Sequence, residues 1–317
     1  TDDVGVTKTN YAPVTYGPEY TDVLPSLNLN FAVTDEDNVR LAIAKVMGRP
    51  PAGQLKGGAG SWNDTQNYPD GTSKPRYNVW TKGSPFLDPF RANQLDVSYE
   101  HYFEEGGSVT VAGFWKDIKS LTENISYSPG EIKFSDLGIQ TPPGMVDGVF
   151  QTVANTKKGG YIRGLELATT QTFNKLPGIF SGLGMTASYS YTESKAEVGG
   201  GGLFAGQKLP LPGLSKNVWS ITGFWDIGRF STHLNVRYRD NYIMNMPVPG
   251  SSTPVEAKKY TTVDYQASYA FDNGIDVIFE ADNLTDAANT VSYGVDSALG
   301  EYKTFGRNFS LGVNYKF

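Results

Sequence analysis

Aromatic side chains interleaved with amides and carboxylates mark one long polar segment, residues 47–90, as a candidate binding site. Its aromatic residues include Trp62, Tyr68, Tyr77 and Trp80. The polar side chains among them are Asn63, Asp64, Gln66, Asn67 and Asp70. An aromatic ring can stack on a sugar while amides and carboxylates bond its hydroxyls, and binding sites generally combine apolar surface with a few placed polar groups. This composition is therefore compatible with carbohydrate binding.

The same aromatic residues have a simpler interpretation, in which they hold the segment together or lie where strands end. Strand-end aromatics are expected in membrane β-barrels in any case, so the sequence favours this simpler alternative. Tyr242, in the run Asn241-Tyr-Ile-Met-Asn-Met246, has the same ambiguity and is the fifth ligand-binding candidate. The run Met246-Pro-Val-Pro-Gly250 predicts a turn.

Catalytic and metal-binding residue types are scarce. The chain has no Cys and two His, His101 and His233, which are far apart in sequence, so metal sites and Ser–His–Asp catalysis have little material. Asp35-Glu-Asp-Asn38 lacks the Gly and distal Glu of an EF-hand loop. Gly199–Gly202 is not followed by the Lys-Ser or Lys-Thr pair of a P-loop. We predict a protein that is not an enzyme and that holds no metal or other cofactor.

The end of the chain alternates strictly between apolar and polar residues. Its apolar positions are Phe309, Leu311, Val313, Tyr315 and Phe317. Successive side chains of a strand point to opposite faces, so this segment predicts a strand with one apolar and one polar face. Outer-membrane barrels have such strands, with lipid on one face and water on the other.

Similar alternation recurs along the chain, which predicts about eleven strands. They lie near 22–33, 38–46, 91–103, 107–117, 161–173, 183–191, 219–225, 233–239, 263–271, 275–282 and 305–317. Their polar faces carry charged residues that would each be costly to bury in a dry core, namely Arg237, Arg239, Asp264 and Glu280. A water-filled barrel lumen would leave these charges hydrated and so avoid the cost of burying them. No stretch approaches the ~20 apolar residues of a membrane helix, and the net charge of −6 argues against nucleic acid.

The connections alternate between short turns and long polar segments. The short ones are Thr34–Asn38, Glu104–Gly107, Asp226–Arg229 and Asp272–Gly274, with a somewhat longer one at Asn174–Ser181. The long ones lie near 47–90, 118–160, 193–216, 241–259 and 284–304. This asymmetry is typical of bacterial outer-membrane barrels, which have even strand numbers. An odd count of eleven therefore predicts the C-terminal half of a barrel of ~22 strands, with residues 1–20 as the tail of a preceding external loop.

Several local phrases, in this order, resemble the C-terminal barrel half of TonB-dependent outer-membrane receptors over nearly all of the chain. They are Asp22-Val-Leu-Pro-Ser-Leu-Asn-Leu, Lys45-Val-Met-Gly-Arg-Pro50, Gly83-Ser-Pro-Phe-Leu-Asp-Pro-Phe-Arg-Ala-Asn93, Gly160-Tyr-Ile-Arg-Gly-Leu-Glu-Leu167, Leu209-Pro-Leu-Pro-Gly-Leu-Ser-Lys216, Asp282-Asn-Leu-Thr-Asp286 and the final strand with Phe317. The turn at 176–184 resembles that of a proteobacterial branch of this receptor family, and this branch is often associated with oligosaccharide uptake.

The resemblance implies an all-β, transmembrane, antiparallel up-and-down barrel in the outer membrane of a Gram-negative cell. Residues 1–317 would be its C-terminal part, and the plug and first strands would lie outside this sequence. The implied partners are outer-membrane lipid, the TonB–ExbB–ExbD complex acting through the missing N-terminal region, the barrel-assembly machinery and a surface lipoprotein. The assembly machinery would read the terminal Phe317.

The function that follows from the resemblance is TonB-coupled import of a scarce nutrient. An oligosaccharide is the first substrate expectation and a ferric siderophore the second. A passive porin would show the same alternation without a plug. A surface receptor or adhesin is the third possibility, although soluble β modules would not explain the alternation of short and long connections.

Overall fold

The computed structural model describes residues 17–104, 106–156, 158–197, 206–245 and 253–316. The glycine run 199–202, the turn predicted at 246–250 and Phe317 lie outside these ranges. The described chain is built from strands, with two short 3₁₀ turns at Phe134–Leu137 and Gly178–Gly182. None of its helical segments is long or apolar enough to cross a bilayer.

The twenty strands are numbered in chain order. They are β1 (Ser26–Ala32), β2 (Asp37–Gly48), β3 (Ala59–Asn67), β4 (Ser73–Thr81), β5 (Phe90–Tyr102), β6 (Gly107–Ile118), β7 (Leu121–Tyr127), β8 (Val146–Thr156), β9 (Gly160–Thr172), β10 (Leu183–Glu197), β11 (Lys208–Leu209), β12 (Asn217–Ile227), β13 (Phe230–Arg239), β14 (Tyr242–Asn245), β15 (Val255–Ala257), β16 (Tyr260–Ala270), β17 (Ile275–Asp282), β18 (Asn289–Tyr293), β19 (Leu299–Lys303) and β20 (Asn308–Tyr315).

The chain separates into two compact units. The sheet unit comprises Val23–Gly48, Phe90–Ile125 and the chain from Thr156 onward. The loop unit comprises Arg49–Pro89 and Ser126–Asn155 together with residues 17–22.

One antiparallel path of eleven strands forms the sheet unit, and this confirms the strand number predicted from the alternation. Its order is β1-β2-β5-β6-β9-β10-β12-β13-β16-β17-β20, and β11 pairs with β10 beside it. Path neighbours are joined alternately by short turns and long connections, as predicted. The architecture is the antiparallel up-and-down sheet of a barrel wall.

The register keeps apolar residues opposite apolar residues across this path. Leu41 faces Val97, and Phe279 faces Leu311. Much of this apolar face is exposed: Val97 is 44%, Leu165 59% and Leu311 71% exposed. The opposite face is polar, with Arg237 paired to Asp264. A sheet that exposes so much apolar surface on one face needs an apolar surrounding there.

The short turns are closed by local bonds. Asp37 accepts a hydrogen bond from the Thr34 hydroxyl at 2.6 Å, and its backbone oxygen accepts one from Val33 N at 2.8 Å. Gly274 has φ +80°, which favours glycine, and a Cβ there would lie 2.4 Å from the Lys316 oxygen. The backbone of this turn therefore requires glycine.

Three of the strands that the sequence did not predict lie within the long connections of the loop unit. β3 and β4 form an antiparallel hairpin, and β4 pairs with β8 in parallel. Val79, Phe134 and Phe150 form the buried core of this unit. The long connections of the sheet unit also carry short strands, β14, β15, β18 and β19, which form their own antiparallel sheet.

Candidate functional site

The β3–β4 hairpin positions most of the predicted binding residues. In its register Gly60 lies opposite Trp80, Trp62 opposite Asn78 and Asp64 opposite Arg76. Opposed residues of an antiparallel pair share a face, so the two tryptophans and the ion pair lie on one side. We call this side the Trp62 face.

Asp64 and Arg76 form a bidentate ion pair on the Trp62 face. Arg76 donates from Nε and Nη2 to the two carboxylate oxygens of Asp64, at 2.7 and 2.6 Å. These hydrogen bonds hold the pKa of Asp64 below its ordinary value and raise the pKa of Arg76. A planar bidentate pair fixes both side chains, so they present a defined polar edge beside the indoles.

The two tryptophans differ in accessibility. The Trp80 ring lies across Gly60, where a Cβ would approach its atoms to 2.6 Å. The Lys82 ammonium lies 5.9 Å from the Trp80 ring centroid, which places a cation against the indole. Trp62 is 38% exposed. Trp62 is therefore the better candidate for stacking on a ligand, with Trp80 beside it.

Tyr77 and Tyr68 take other positions. Tyr77 lies on the opposite side of the hairpin, where its ring packs edge-on against Phe134 with centroids 6.3 Å apart. Tyr68 is half-buried at the hairpin turn, and its backbone N–H donates to the Thr72 oxygen at 2.9 Å. The structure thus brings Trp62 and Trp80 together and places Tyr77 against the core.

Asn78 is a supporting residue that no sequence pattern singles out. It is completely buried, and its Nδ2 donates to the Trp62 oxygen at 3.3 Å. Its Oδ1 accepts from Val149 N at 2.7 Å, where the β4–β8 register is irregular. The side chain bonds the backbones of β3 and β8, so it holds the strand that carries Trp62.

Tyr242 belongs to the sheet unit, where it lines a cleft of about 700 Å³ with side chains of β10 and the chain around 214–216. The Arg239 guanidinium lies 3.8 Å from the Tyr242 ring centroid. Arg239 is held by bonds to the Gly213 oxygen at 2.6 Å and to Ser215 Oγ at 2.9 Å. The ring therefore has a cation stacked against it.

The cleft around Tyr242 has charges of both signs. Its carboxylates are Glu193, Asp240 and Glu256, and its ammonium groups are Lys195 and Lys216. The Asn217 amide donates to Asp240 at 2.9 Å, and this bond holds the pKa of Asp240 below its ordinary value. Such a lining suits a polar ligand with donors and acceptors more than an apolar one.

No group of three or more His, Asp or Glu side chains placed to hold a metal ion occurs among the described residues. Phe317 lies outside them, so its role in barrel assembly stays a prediction.

Comparison with known proteins identifies the fold family. The family model "TonB dependent receptor-like, beta-barrel" matches residues 1–284. A comparison with curated proteins gives no match.

Three solved structures illustrate the similarity. They are the siderophore receptor PiuA from Acinetobacter baumannii (15% identity, TM-score 0.57), a mutant of the ferric enterobactin receptor PfeA from Pseudomonas aeruginosa in complex with enterobactin (17%, 0.61), and the ferric-catecholate import receptor Fiu from E. coli (15%, 0.58). Each match covers 92% of this chain but 35%, 40% and 34% of the respective receptor. The chain therefore spans well under half of these proteins, and the oligosaccharide branch finds no support in them.

PiuA is a siderophore receptor and Fiu is a ferric-catecholate import receptor. The family model covers most of the chain, and the eleven-strand antiparallel sheet has the fold of the solved receptors. The chain belongs to the TonB-dependent receptor-like β-barrel family.

Proposed function

We propose that this chain supplies barrel wall and external loops to an outer-membrane receptor that imports a scarce nutrient with TonB-coupled energy. The exposed apolar face of the eleven-strand sheet, opposite a charged polar face, carries the membrane part of the proposal. Residues 1–317 would be the C-terminal part of the barrel. The plug and the contact with TonB–ExbB–ExbD would belong to other parts of the receptor.

Two different sites support two different substrate classes. The Trp62 face supports an oligosaccharide, because an exposed indole stands beside a fixed carboxylate and guanidinium. The cleft around Tyr242 supports a ferric siderophore, because Arg239 and Lys216 offer cations beside aromatic rings to an anionic complex. The names of the structural neighbours also favour the siderophore.

Uptake in cells tests the energy coupling and the substrate together. The complete receptor would be expressed in cells with and without TonB, and uptake of iron-55 siderophores and labelled oligosaccharides measured. Uptake that requires TonB supports the proposal. TonB-independent uptake would indicate a passive porin, and binding without uptake would indicate a surface receptor or adhesin.

Variants of the two sites then separate the substrate classes. If the substrate is an oligosaccharide, the double change Trp62→Ala and Trp80→Ala should abolish its binding while the amount of folded barrel stays constant. Phe86→Ala, which removes an exposed ring elsewhere in the loop unit, is the matched control. Unchanged oligosaccharide binding would remove the Trp62 face from the site, and loss of siderophore uptake with Tyr242→Ala would assign the cleft instead.

A further inference from the structure

A shallow groove of about 530 Å³ lies against the sheet unit, lined largely by residues of its exposed apolar face. The strand register places Gly113 of β6 at the bottom of the groove, between Val97 of β5 and Leu165 of β9. Gly113 is the one position of this row without a side chain, so the surface is recessed between its neighbours. Val97 is 44% exposed and Leu165 is 59% exposed, so the groove is open to the surroundings.

The groove is bounded toward the long connections by an arginine. In the next row Trp115 lies opposite Arg163, and Arg163 lies opposite Glu193. The Arg163 guanidinium lies 5.7 Å from the Trp115 ring centroid and donates to Glu193 Oε2 from Nε at 2.9 Å and Nη2 at 2.6 Å. An apolar slot therefore ends at a fixed cation.

The following row is polar and marks the end of the apolar band. It runs Lys45, Asn93, Asp117, Tyr161 and Lys195 across five strands. Lys195 lies 3.5 Å from Glu193, and Lys119 pairs with Asp117. Lys45, Lys119, Arg163 and Lys195 are thus four cations set among two carboxylates, so the patch carries excess positive charge.

We propose that this groove binds one lipid of the surrounding bilayer that carries a phosphate in its headgroup. An acyl chain lies over Gly113 between Val97 and Leu165, and the phosphate contacts Arg163 and Lys195. Guanidinium groups suit phosphate because they are planar donors and weakly hydrated. A basic cluster at the edge of an apolar membrane surface is the arrangement that attracts anionic lipids.

Charge complementarity favours a phosphate-bearing lipid over a second copy of the chain. Two copies meeting through this face would bring their excess cations together, which costs energy at a desolvated contact. The proposal rests on the membrane location proposed above, but not on TonB-coupled import. Lipid binding is measured without uptake, so the two proposals can fail separately.

The test uses the complete receptor, delipidated in detergent, with bound lipid counted by native mass spectrometry. The probes are phosphatidylglycerol, which carries an anionic phosphate, and diacylglycerol, which has no phosphate, both with dioleoyl chains. We expect about tenfold tighter binding of phosphatidylglycerol, since Lys and Arg side chains at a membrane surface attract anionic headgroups. Equal binding of the two lipids would overturn the phosphate contact and with it the proposal.

Gly113→Leu tests the groove, because it fills the slot between Val97 and Leu165. Gly223→Leu is the matched control: it lies on the same apolar face, opposite Leu234, and a Cβ there meets no atom within 4 Å. Loss of bound phosphatidylglycerol with Gly113→Leu and not with Gly223→Leu supports the site. Equal behaviour of the two variants, or a dimer mass in the wild-type spectrum without lipid, overturns it.

The headgroup contact has its own variant. Lys45→Gln combined with Lys195→Gln removes two cations but leaves the Arg163–Glu193 pair intact, so the fold is not at risk from an unpaired Glu193. Lys116→Gln, which removes a cation from the opposite face of β6, is the control. The double variant should lose most of the preference for phosphatidylglycerol, and a retained preference would contradict the assignment.

Discussion

At the residue scale, Asn78 holds the strand that carries Trp62. Removing its side chain leaves the partly buried N–H of Val149 without its acceptor, and a donor left unsatisfied on burial costs about 1–3 kcal/mol. We predict that Asn78→Ala destabilises the loop unit by that amount while the sheet unit stays folded. Faster amide hydrogen exchange in residues 49–89 and 126–155 would show this destabilisation.

The matched control for this prediction is Asn67→Ala at the exposed end of β3. It should leave the exchange pattern unchanged. Equal protection in Asn78→Ala and wild type would mean that the bonds to Trp62 and Val149 contribute nothing to the unit.

The Asp64–Arg76 pair gives the hairpin a pH dependence. The pKa of Asp64 is lower in the folded hairpin than in the unfolded chain, where it is about 3.9. The stabilisation is therefore fully present above about pH 5 and is lost as the pH falls through the folded pKa. We predict that Asp64→Asn is less stable than wild type at pH 7 and that this difference shrinks as the pH falls through the folded pKa of Asp64.

Urea unfolding followed by tryptophan fluorescence, through Trp62 and Trp80, measures this difference. Arg76→Gln should lower the stability at pH 7 in the same way. A gap between wild type and Asp64→Asn that stays constant with pH would show that the ion pair is not its source.

Residue types predicted the composition of the candidate site but not its geometry. The aromatic-amide pattern found Trp62 and Trp80, which share a face, together with Tyr77, which packs on Phe134. Assigning the two sides needs the register of the hairpin. Asn78 could not be found from sequence, because a buried amide bonded to two strands looks like any other Asn of a polar segment.

At the element scale, the two faces of each strand should tolerate charge differently. Leu311 lies in the middle of β20 on the apolar face, and Ser310 beside it bonds Glu280 on the polar face. Arginine on a lipid-facing position costs about 2–4 kcal/mol near the bilayer midplane. We predict that Leu311→Arg impairs barrel assembly and Ser310→Arg does not.

Heat-modifiable electrophoretic mobility of the complete receptor reports the folded fraction for both variants. If both variants assemble equally well, the assignment of the apolar face to lipid is wrong.

The alternation of apolar and polar residues predicted all eleven strands of the main path because a two-sided environment imposes period two on each of them. The strands of the long connections carry no such signal. β3 is exposed along most of its length, and its sequence Ala-Gly-Ser-Trp-Asn-Asp-Thr-Gln-Asn is polar on both sides. The parallel pairing of β4 with β8 joins two separate connections, so nothing local in either segment indicates it.

At the scale of the whole molecule, the two edge strands of the path, β1 and β20, each need a further strand to pair with. Among the described residues, β1 pairs with β2 alone and β20 pairs with β17 alone. An open edge in a bilayer leaves backbone N–H and C=O groups unsatisfied, at several kcal/mol each. The chain spans about 40% of a solved receptor such as PfeA, so other strands are available in a receptor of that size to close the wall.

We therefore predict that both edge strands behave as central strands in the complete receptor. In bilayer discs, the amides of Ser26–Ala32 and Asn308–Tyr315 should exchange as slowly as those of β9 and β10, which have partners on both sides. Exposed edges would exchange many times faster, because half of their N–H groups would face no acceptor. Fast exchange of either strand would mean that the wall does not close there, and a transport path through a sealed barrel would have to be abandoned.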